Sequence, residues 1–242
     1  VTGGEHVSIW SVPERPGRGP RPAYSRVQIT EAAIRIADAD GLEAASMRRI
    51  AADLGTAAMS LYRYVSSRDD LVELMADHVL AEMDVPPRPS GDWRADLALI
   101  AESTRAIWLR HPWLAGLDGT RAMLGPNRLR LMEFAIGALD VGPPLDDVIT
   151  LIDMLNGYVQ HVVRGEIAAA ARGGGQGRTP PGPWRTHDDP HLDPHLLDLL
   201  ATGDFPRFER VVREARLPRM SGDEQFRHGL ERVLDCIARA LP

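Results

Sequence analysis

The chain has 242 residues, 44% hydrophobic and 26% charged, with a net charge of −6 and one cysteine. That balance suits a globular protein long enough to bury a core, and no apolar run approaches the ~18 residues a membrane-spanning helix needs. The lone Cys236 excludes an intramolecular disulfide framework, and a first segment broken by Gly, Pro and Arg lacks the apolar core of a secretion signal, so a reducing, cytoplasmic setting is expected.

A charge of −6 by itself argues against a nucleic-acid partner, but the charge is unevenly spread. Residues 1–68 carry nine arginines against seven acids, a net of +2, which leaves −8 for the rest. A mildly basic head on an acidic body is compatible with phosphate binding by the head alone.

Residues 1–24 are rich in Pro, Gly and Arg without periodicity, and are expected to be a disordered tail. Its arginines either touch DNA as basic arms do or stay solvated. Everything beyond it reads as helical. Ser25 and Gln28 have capping-box spacing, apolar residues follow at Ile29, Ala32, Ala33, Ile36 and Ala37, and Gly41 stands where a helix ends. Ser46 caps a second helix, with Ile50, Ala51 and Leu54 inward, that stops at Gly55. A third runs from about Ala57 to Val65 with Leu61 and Val65 inward. Ser66 or Ser67 caps a fourth, whose first turn holds Asp69 and Asp70, as the helix dipole favours. The breaker Val85–Gly91 follows. Further helices are expected near 92–110, 126–140, 145–171, 193–202, 206–215 and 222–241, with a long loop from Arg172 to Pro190. No strand candidate of substance and no internal repeat are evident, so the fold class is all-α.

Two short helices across a glycine turn, packed on a preceding helix, make a helix-turn-helix. The major groove of DNA admits one α-helix, and only its outward residues reach base edges. With Leu61 and Val65 inward, the outward set is Ala58, Met59, Ser60, Tyr62, Arg63 and Tyr64. Ser60 and Tyr62 can donate to phosphate or bases, Arg63 can pair bidentately with guanine, and Ala58 and Met59 can meet a thymine methyl. Arg48 is placed for bases or backbone, and Ser46 and Arg68 for phosphate, contacts that fix register rather than sequence. On periodicity alone, the same segment also reads as a short surface helix with a snorkelling arginine.

The residues distinguish the two. The run ITEAAIRIADADGLEAASMRRIAADLGTAAMSLYRYVSSRDDLVELM, Ile29 to Met75, closely resembles the DNA-binding domain of the tetracycline-repressor family. The resemblance spans three helices and their turns without a gap, and S-L-Y-R-Y-V is its most specific part. It implies double-stranded operator DNA as partner and places the DNA contacts on Arg48, Ala58, Met59, Ser60, Tyr62, Arg63, Tyr64 and Arg68. Ala57 stands where many members have a capping Ser, leaving Thr56 to cap or the helix to start loosely.

From about Asp92 to Leu241 the chain resembles the tetracycline-repressor branch more loosely. The resemblance implies a two-fold homodimer with a ligand cavity in each subunit, and release of DNA when an unidentified small-molecule effector binds. The helix from Leu145 is apolar on nearly all sides, and a helix apolar all round is expected to be buried all round. With the last helix it is expected to form a four-helix dimer bundle, the interface carried by Val148, Ile152, Leu155, Val159, Leu230, Val233, Leu234, Ile237 and Leu241; a monomeric core is the alternative. Apolar walls with a few polar groups form ligand sites. That suggests a pocket of Trp93, Trp108, Trp113, Met123, Met132, Phe134, Asn156, Tyr158, Gln160 and His161, although any one of the Trp or Met residues can equally be core filler.

The family's drug-binding members place a His shortly before Gly-Thr-Arg. Here Leu117 and Asp118 precede Gly119-Thr120-Arg121; Glu166 matches the acidic partner, but the His is absent, so that metal–drug site is not expected. The cluster His187, Asp188, Asp189, His191, Asp193, His195 is broken by two prolines and reads as a solvated loop rather than a metal site. No cofactor is expected.

The expected organisation is a tail at 1–24, a DNA-binding domain at 25–70 and a helical ligand-binding and dimerisation domain at 71–242. The function is a one-component repressor, with an activator or a helical interaction protein that no longer reads DNA as alternatives. An enzyme is disfavoured, since there is no phosphate loop, G-x-S-x-G elbow or H-E-x-x-H.

Overall fold

A computed structural model of the protein describes residues 8–12, 24–117, 125–171, 194–214 and 220–241. Among these residues every regular element is helical, as the all-α reading expected. The chain falls into two compact units, residues 1–140 and 141–242. The helices that follow the head pack with it in the first unit, α4 of residues 68–80 against α1 of residues 26–40.

In the first unit, α1 (Arg26–Asp40) opens on the expected capping box: Ser25 accepts from the backbone of Gln28, whose side chain accepts in return. Its buried face is Ile29, Ala32, Ala33, Ile36 and Ala37, and covering a side chain such as Ile29 contributes roughly 1.5–3 kcal/mol. A short 3-10 turn, Leu42–Ala44, leads to α2 (Met47–Asp53), capped by Ser46. Gly55, at φ +68°, then reverses the chain, and the Thr56 amide returns to the Ala51 carbonyl at 2.8 Å. A side chain at this left-handed position would be strained.

The third helix, α3, is shorter than expected: Ala58–Leu61, followed by a turn through Tyr64. Ala57 provides no side-chain cap, and Thr56 does not substitute for it. Ser67 caps α4 (Arg68–Leu80), accepting from the Asp70 amide. Ile50, Leu61 and Val65 are buried as expected, whereas Leu54 is only half-buried because it forms the C-cap of α2.

Helices α5 (Trp93–Arg110) and α6 (Pro126–Ala138) complete this unit. Asp77 of α4, 3% exposed, aims its carboxylate at the start of α6. It accepts from the amides of Asn127 and Arg128 at 3.3 and 2.9 Å and from Asn127 Nδ2 at 2.9 Å. Gly125 makes this approach possible, since a Cβ there would lie 2.2 Å from Asp77 Oδ1. At the far end of α4, Glu82 pairs with Arg110 at 2.6 Å and lies 3.3 Å from His111 Nε2. The other ring nitrogen of His111 pairs with Asp38 of α1 at 2.7 Å, and Trp113 Nε1 donates to the same carboxylate at 2.8 Å. Burial raises the Glu82 carboxyl, but the hydrogen bonds and charges of Arg110 and His111 outweigh it and hold Glu82 below the usual carboxylate range.

Part of the expected tail is fixed. Ile9–Ser11 forms a 3-10 turn with Ile9 1% exposed, and Trp10 Nε1 donates to Glu73 of α4 at 2.5 Å.

In the second unit, α7 (Leu145–Ala171) packs on α10 (Gly222–Ala240), and α8 (Pro194–Ala201) packs on α9 (Pro206–Glu214) around Leu200 and Val212. Ser221 and Glu224 form a capping box for α10. Tyr158 lies against the Phe226 ring and donates to the Phe226 carbonyl at 2.6 Å.

Within one chain α7 is buried on one side only. One stripe is covered, Val148, Leu151, Leu155, Val159 and Val163, while Leu145 (73% exposed), Ile149 and Met154 face solvent.

Asp77→Ala should remove three hydrogen bonds and the charge at the α6 N-terminus, lowering stability by about 2–3 kcal/mol in urea unfolding. Gly125→Ala should also destabilise, by collision. Because Glu82 is depressed in the folded state, its contribution is complete above the ordinary carboxylate value and lost as pH falls through the folded one. Glu82→Gln should therefore flatten the acid limb of a stability–pH curve.

Candidate nucleic-acid interface

The helix-turn-helix brings most of the expected contact residues to one exposed surface. Met59 is 78% exposed and Tyr62 45%, Arg48 and Arg63 are exposed, and Ala58, Ser60 and Tyr64 are half-buried beside them. Arg63 stacks its guanidinium 5.8 Å from the centre of the Tyr64 ring, a contact that holds a flexible side chain near one direction.

The charges around this surface are sorted by their partners. Arg35 pairs with Asp53 at 2.9 Å and Arg49 with Asp40 at 2.5 Å, both exposed. Such surface pairs contribute about 0–1 kcal/mol, but each removes an arginine from competition for phosphate. Arg48 and Arg63 have no acidic partner among the described residues, and they are the cations free to meet an anion.

Two of the expected contacts have other work. Arg68 donates to the carbonyls of Leu42 and Ala45 at 3.0 and 3.2 Å and pairs with Glu43 at 3.0 Å. It ties the start of α4 to the link between α1 and α2. Ser46 spends its acceptor on the Arg49 amide at 3.3 Å as the cap of α2; its hydroxyl hydrogen remains available to an acceptor.

The residues of the expected pocket are divided between the two units. Trp93, Trp108, Trp113, Met132 and Phe134 belong to the first unit, and Asn156, Tyr158, Gln160 and His161 to the second. Trp113 is buried and bound to Asp38, so it serves the junction of α5 with α1. It borders an open groove of ≈450 Å³ with Leu42, Glu43 and Pro112, which no other residue of the expected pocket lines. Phe134 is core, Met132 and His161 are exposed, and Trp93, Trp108, Asn156 and Gln160 are half-buried. Tyr158 is engaged by α10. Met123, Gly119–Arg121 and most of the His/Asp-rich run 187–195 lie outside the described residues, as does the expected loop from Arg172 to Pro190.

Six of the expected interface residues, Val148, Leu155, Val159, Leu230, Leu234 and Ile237, are buried within a single chain. Ile152, Val233 and Leu241 remain half-exposed.

Sequence reasoning missed Arg26, whose Nε donates to the Tyr64 carbonyl at 2.9 Å, and Tyr24, whose hydroxyl donates to the Leu54 carbonyl at 2.9 Å. They sit beside the capping Ser25, and no periodicity marks them.

Comparison with known proteins agrees with this geometry. The family profile described as "Bacterial regulatory proteins, tetR family" matches residues 29–75, and "Tetracyclin repressor-like, C-terminal domain" matches residues 85–241. The chain is 36% identical over 229 residues to the HTH-type transcriptional repressor DrrR1 of Streptomyces coeruleorubidus, covering 94% of this chain and 82% of that protein. Among solved structures, the Streptomyces coelicolor TetR family protein ActR in complex with (S)-DNPA matches at TM-score 0.69 and 29% identity, over 92% of this chain and 98% of that one. Its complex with actinorhodin matches at TM-score 0.66 and 28% identity, over 92% and 99%.

Arg63→Ala should abolish preference between duplex sequences with the fold unchanged, as measured by competitive binding. Arg68→Ala should instead lower thermal stability, by about 1–2 kcal/mol, and leave the salt dependence of DNA binding as it was.

Proposed function

The chain belongs to the tetracycline-repressor family of bacterial transcriptional regulators, and from that membership we propose that it is a repressor that binds operator DNA as a homodimer and is released by a small-molecule effector. The observation that carries DNA reading is the exposed surface of Met59, Tyr62 and Arg63 with Arg48, whose two arginines have no acidic partner among the described residues. Arg48, Ala58, Met59, Ser60, Tyr62, Arg63 and Tyr64 form the contact set. Arg63 offers the bidentate donor pair that guanine accepts, and Met59 an apolar surface for a thymine methyl.

Repression is supported by the likeness to DrrR1 along nearly the whole chain. Effector control is supported by the likeness to ActR, crystallised with (S)-DNPA and with actinorhodin; these two compounds are the first probes to try. The homodimer is supported by surplus apolar surface on α7. Leu145, Ile149 and Met154 are exposed, with Ile152 half-exposed among them, and a second copy covering them would complete the burial that the helix's composition demands. The family is one of regulators rather than enzymes. No helix among the described residues is long and apolar enough to cross a membrane, and the place of action of a DNA reader is the cytoplasm.

Duplexes enriched from a random-sequence pool by the full chain should contain two half-sites in inverted order, about one helical turn apart or a multiple of it. Affinity should fall steeply with salt, on the order of a thousandfold between 50 and 200 mM if six or more phosphates are neutralised. Light scattering at micromolar protein should give the mass of two chains. A compound that releases the duplex should bind the protein–DNA complex more weakly than the free protein by the same factor. Salt-independent binding with no enriched sequence would leave the interaction-protein reading.

A further inference from the structure

The exposed reading surface makes no use of Tyr24, Arg26 or the docked segment Ser8–Val12, yet these residues hold the ends of both helices that make it. The last carbonyls of a helix have no partner within it, and they lie at the negative end of its dipole. Tyr24 donates to the Leu54 carbonyl at the end of α2, and Arg26 to the Tyr64 carbonyl at the end of the turn that follows α3. The two donors flank Ser25, the cap of α1, so one helix start serves three helix ends.

The need for this is local. α3 has four helical residues and no side-chain N-cap. A segment that short cannot hold its own geometry, and what fixes its exit fixes the direction of Tyr62 and Arg63. Arg26 is itself held. Its Nη1 donates to the carbonyls of Val12 and Ile9 at 2.7 and 3.3 Å. The strap that supplies these carbonyls is anchored by the buried Ile9 and by the Trp10–Glu73 hydrogen bond to α4.

The contacts therefore run in one chain: α4 through Glu73 to Trp10, the strap through Val12 and Ile9 to Arg26, and Arg26 to the end of the recognition segment. We propose that Tyr24, Arg26 and the strap Ser8–Val12 are positioning residues of the DNA-reading head. They set the angle at which α3 meets the groove and make that angle depend on α4 by a route separate from the core. This rests on the head's being a DNA reader.

The test uses the full chain and duplexes that it enriches from a random-sequence pool. Arg26→Lys keeps the charge and loses the fork; Trp10→Phe keeps a half-buried ring and loses the donor; Tyr24→Phe loses only the hydroxyl. Affinity for the enriched duplex should fall about tenfold for Arg26→Lys and about threefold for each of the others. The ratio of enriched to scrambled duplex affinity should fall with it. The slope of log affinity against log salt should not change, because no phosphate contact is lost, and melting should stay far above the assay temperature.

An unchanged ratio in all three variants would overturn the proposal. So would a slope shallower by about one in Arg26→Lys, which would make Arg26 a phosphate contact instead. Should Arg26→Lys fail to fold, the two Phe variants, which keep their apolar contacts, carry the same test. If the intact chain enriches no sequence, the DNA-reading premise fails, and the proposal goes with it.

Discussion

The buried carboxylate of Asp77 in α4 is the constraint around which the first unit is arranged. Removing the Asp77 charge from water costs several kcal/mol unless donors replace the hydration. The start of α6 supplies three such donors together with the positive end of a helix dipole. The arrangement works in both directions, since those amides need an acceptor as much as the carboxylate needs donors. Neither α4 nor α6 can shift along its axis without exposing the other's polar group. The close approach also demands Gly125, and so reaches into the sequence of the connection.

The same helix is held at two more points by the same device. Glu73 accepts from Trp10, and Glu82 pairs with Arg110 and lies near His111. These three acids lie on or just beyond one helix of thirteen residues, and each fixes a different segment. Leu71, Leu74, Met75 and Val79 provide the burial energy of α4, but apolar contact is non-directional. The carboxylates set its position along the axis. On the proposed mechanism an effector need only bias that position. The polar ties at its ends would then make the response discrete rather than gradual, because a hydrogen bond of this kind is either made or lost.

Much of this was legible in the sequence, and the reasons it was or was not are physical. Helix starts were read well because caps are local: Ser25–Gln28, Ser46 and Ser67 act within three residues of themselves. Ile50, Leu61 and Val65 announced themselves by spacing. The functions of Arg26 and Arg68 did not, because their partners lie 38 and 26 residues away, and a carbonyl acceptor carries no residue identity to recognise. An arginine near a helix-turn-helix looks the same in a sequence whether it meets phosphate or backbone. The docked strap was missed for a related reason. Ile9 and Trp10 are two apolar residues in a Gly- and Pro-rich stretch, and what ties them down, Arg26 at the Ile9 carbonyl and Glu73 at the Trp10 ring nitrogen, lies 17 and 63 residues away.

The apolar pattern of α7 was legible in the sequence, but what covers each part of it was not. Periodicity says how much of a helix must be shielded, and it is silent on whether the shield is the same chain or another. In the structure the stripe from Val148 to Val163 is covered within the chain, so the strongest hydrophobic residues belong to the protomer's own core. Those left over, Leu145, Ile149 and Met154 with the half-exposed Ile152, are fewer and more scattered. A dimer built on them would depend more on shape than on area. On the proposed mechanism two heads change their spacing: an interface that buried every apolar side chain of α7 would resist that rearrangement, whereas one resting on its outer edge would shift while the core of each chain, from Val148 to Ile237, stays packed.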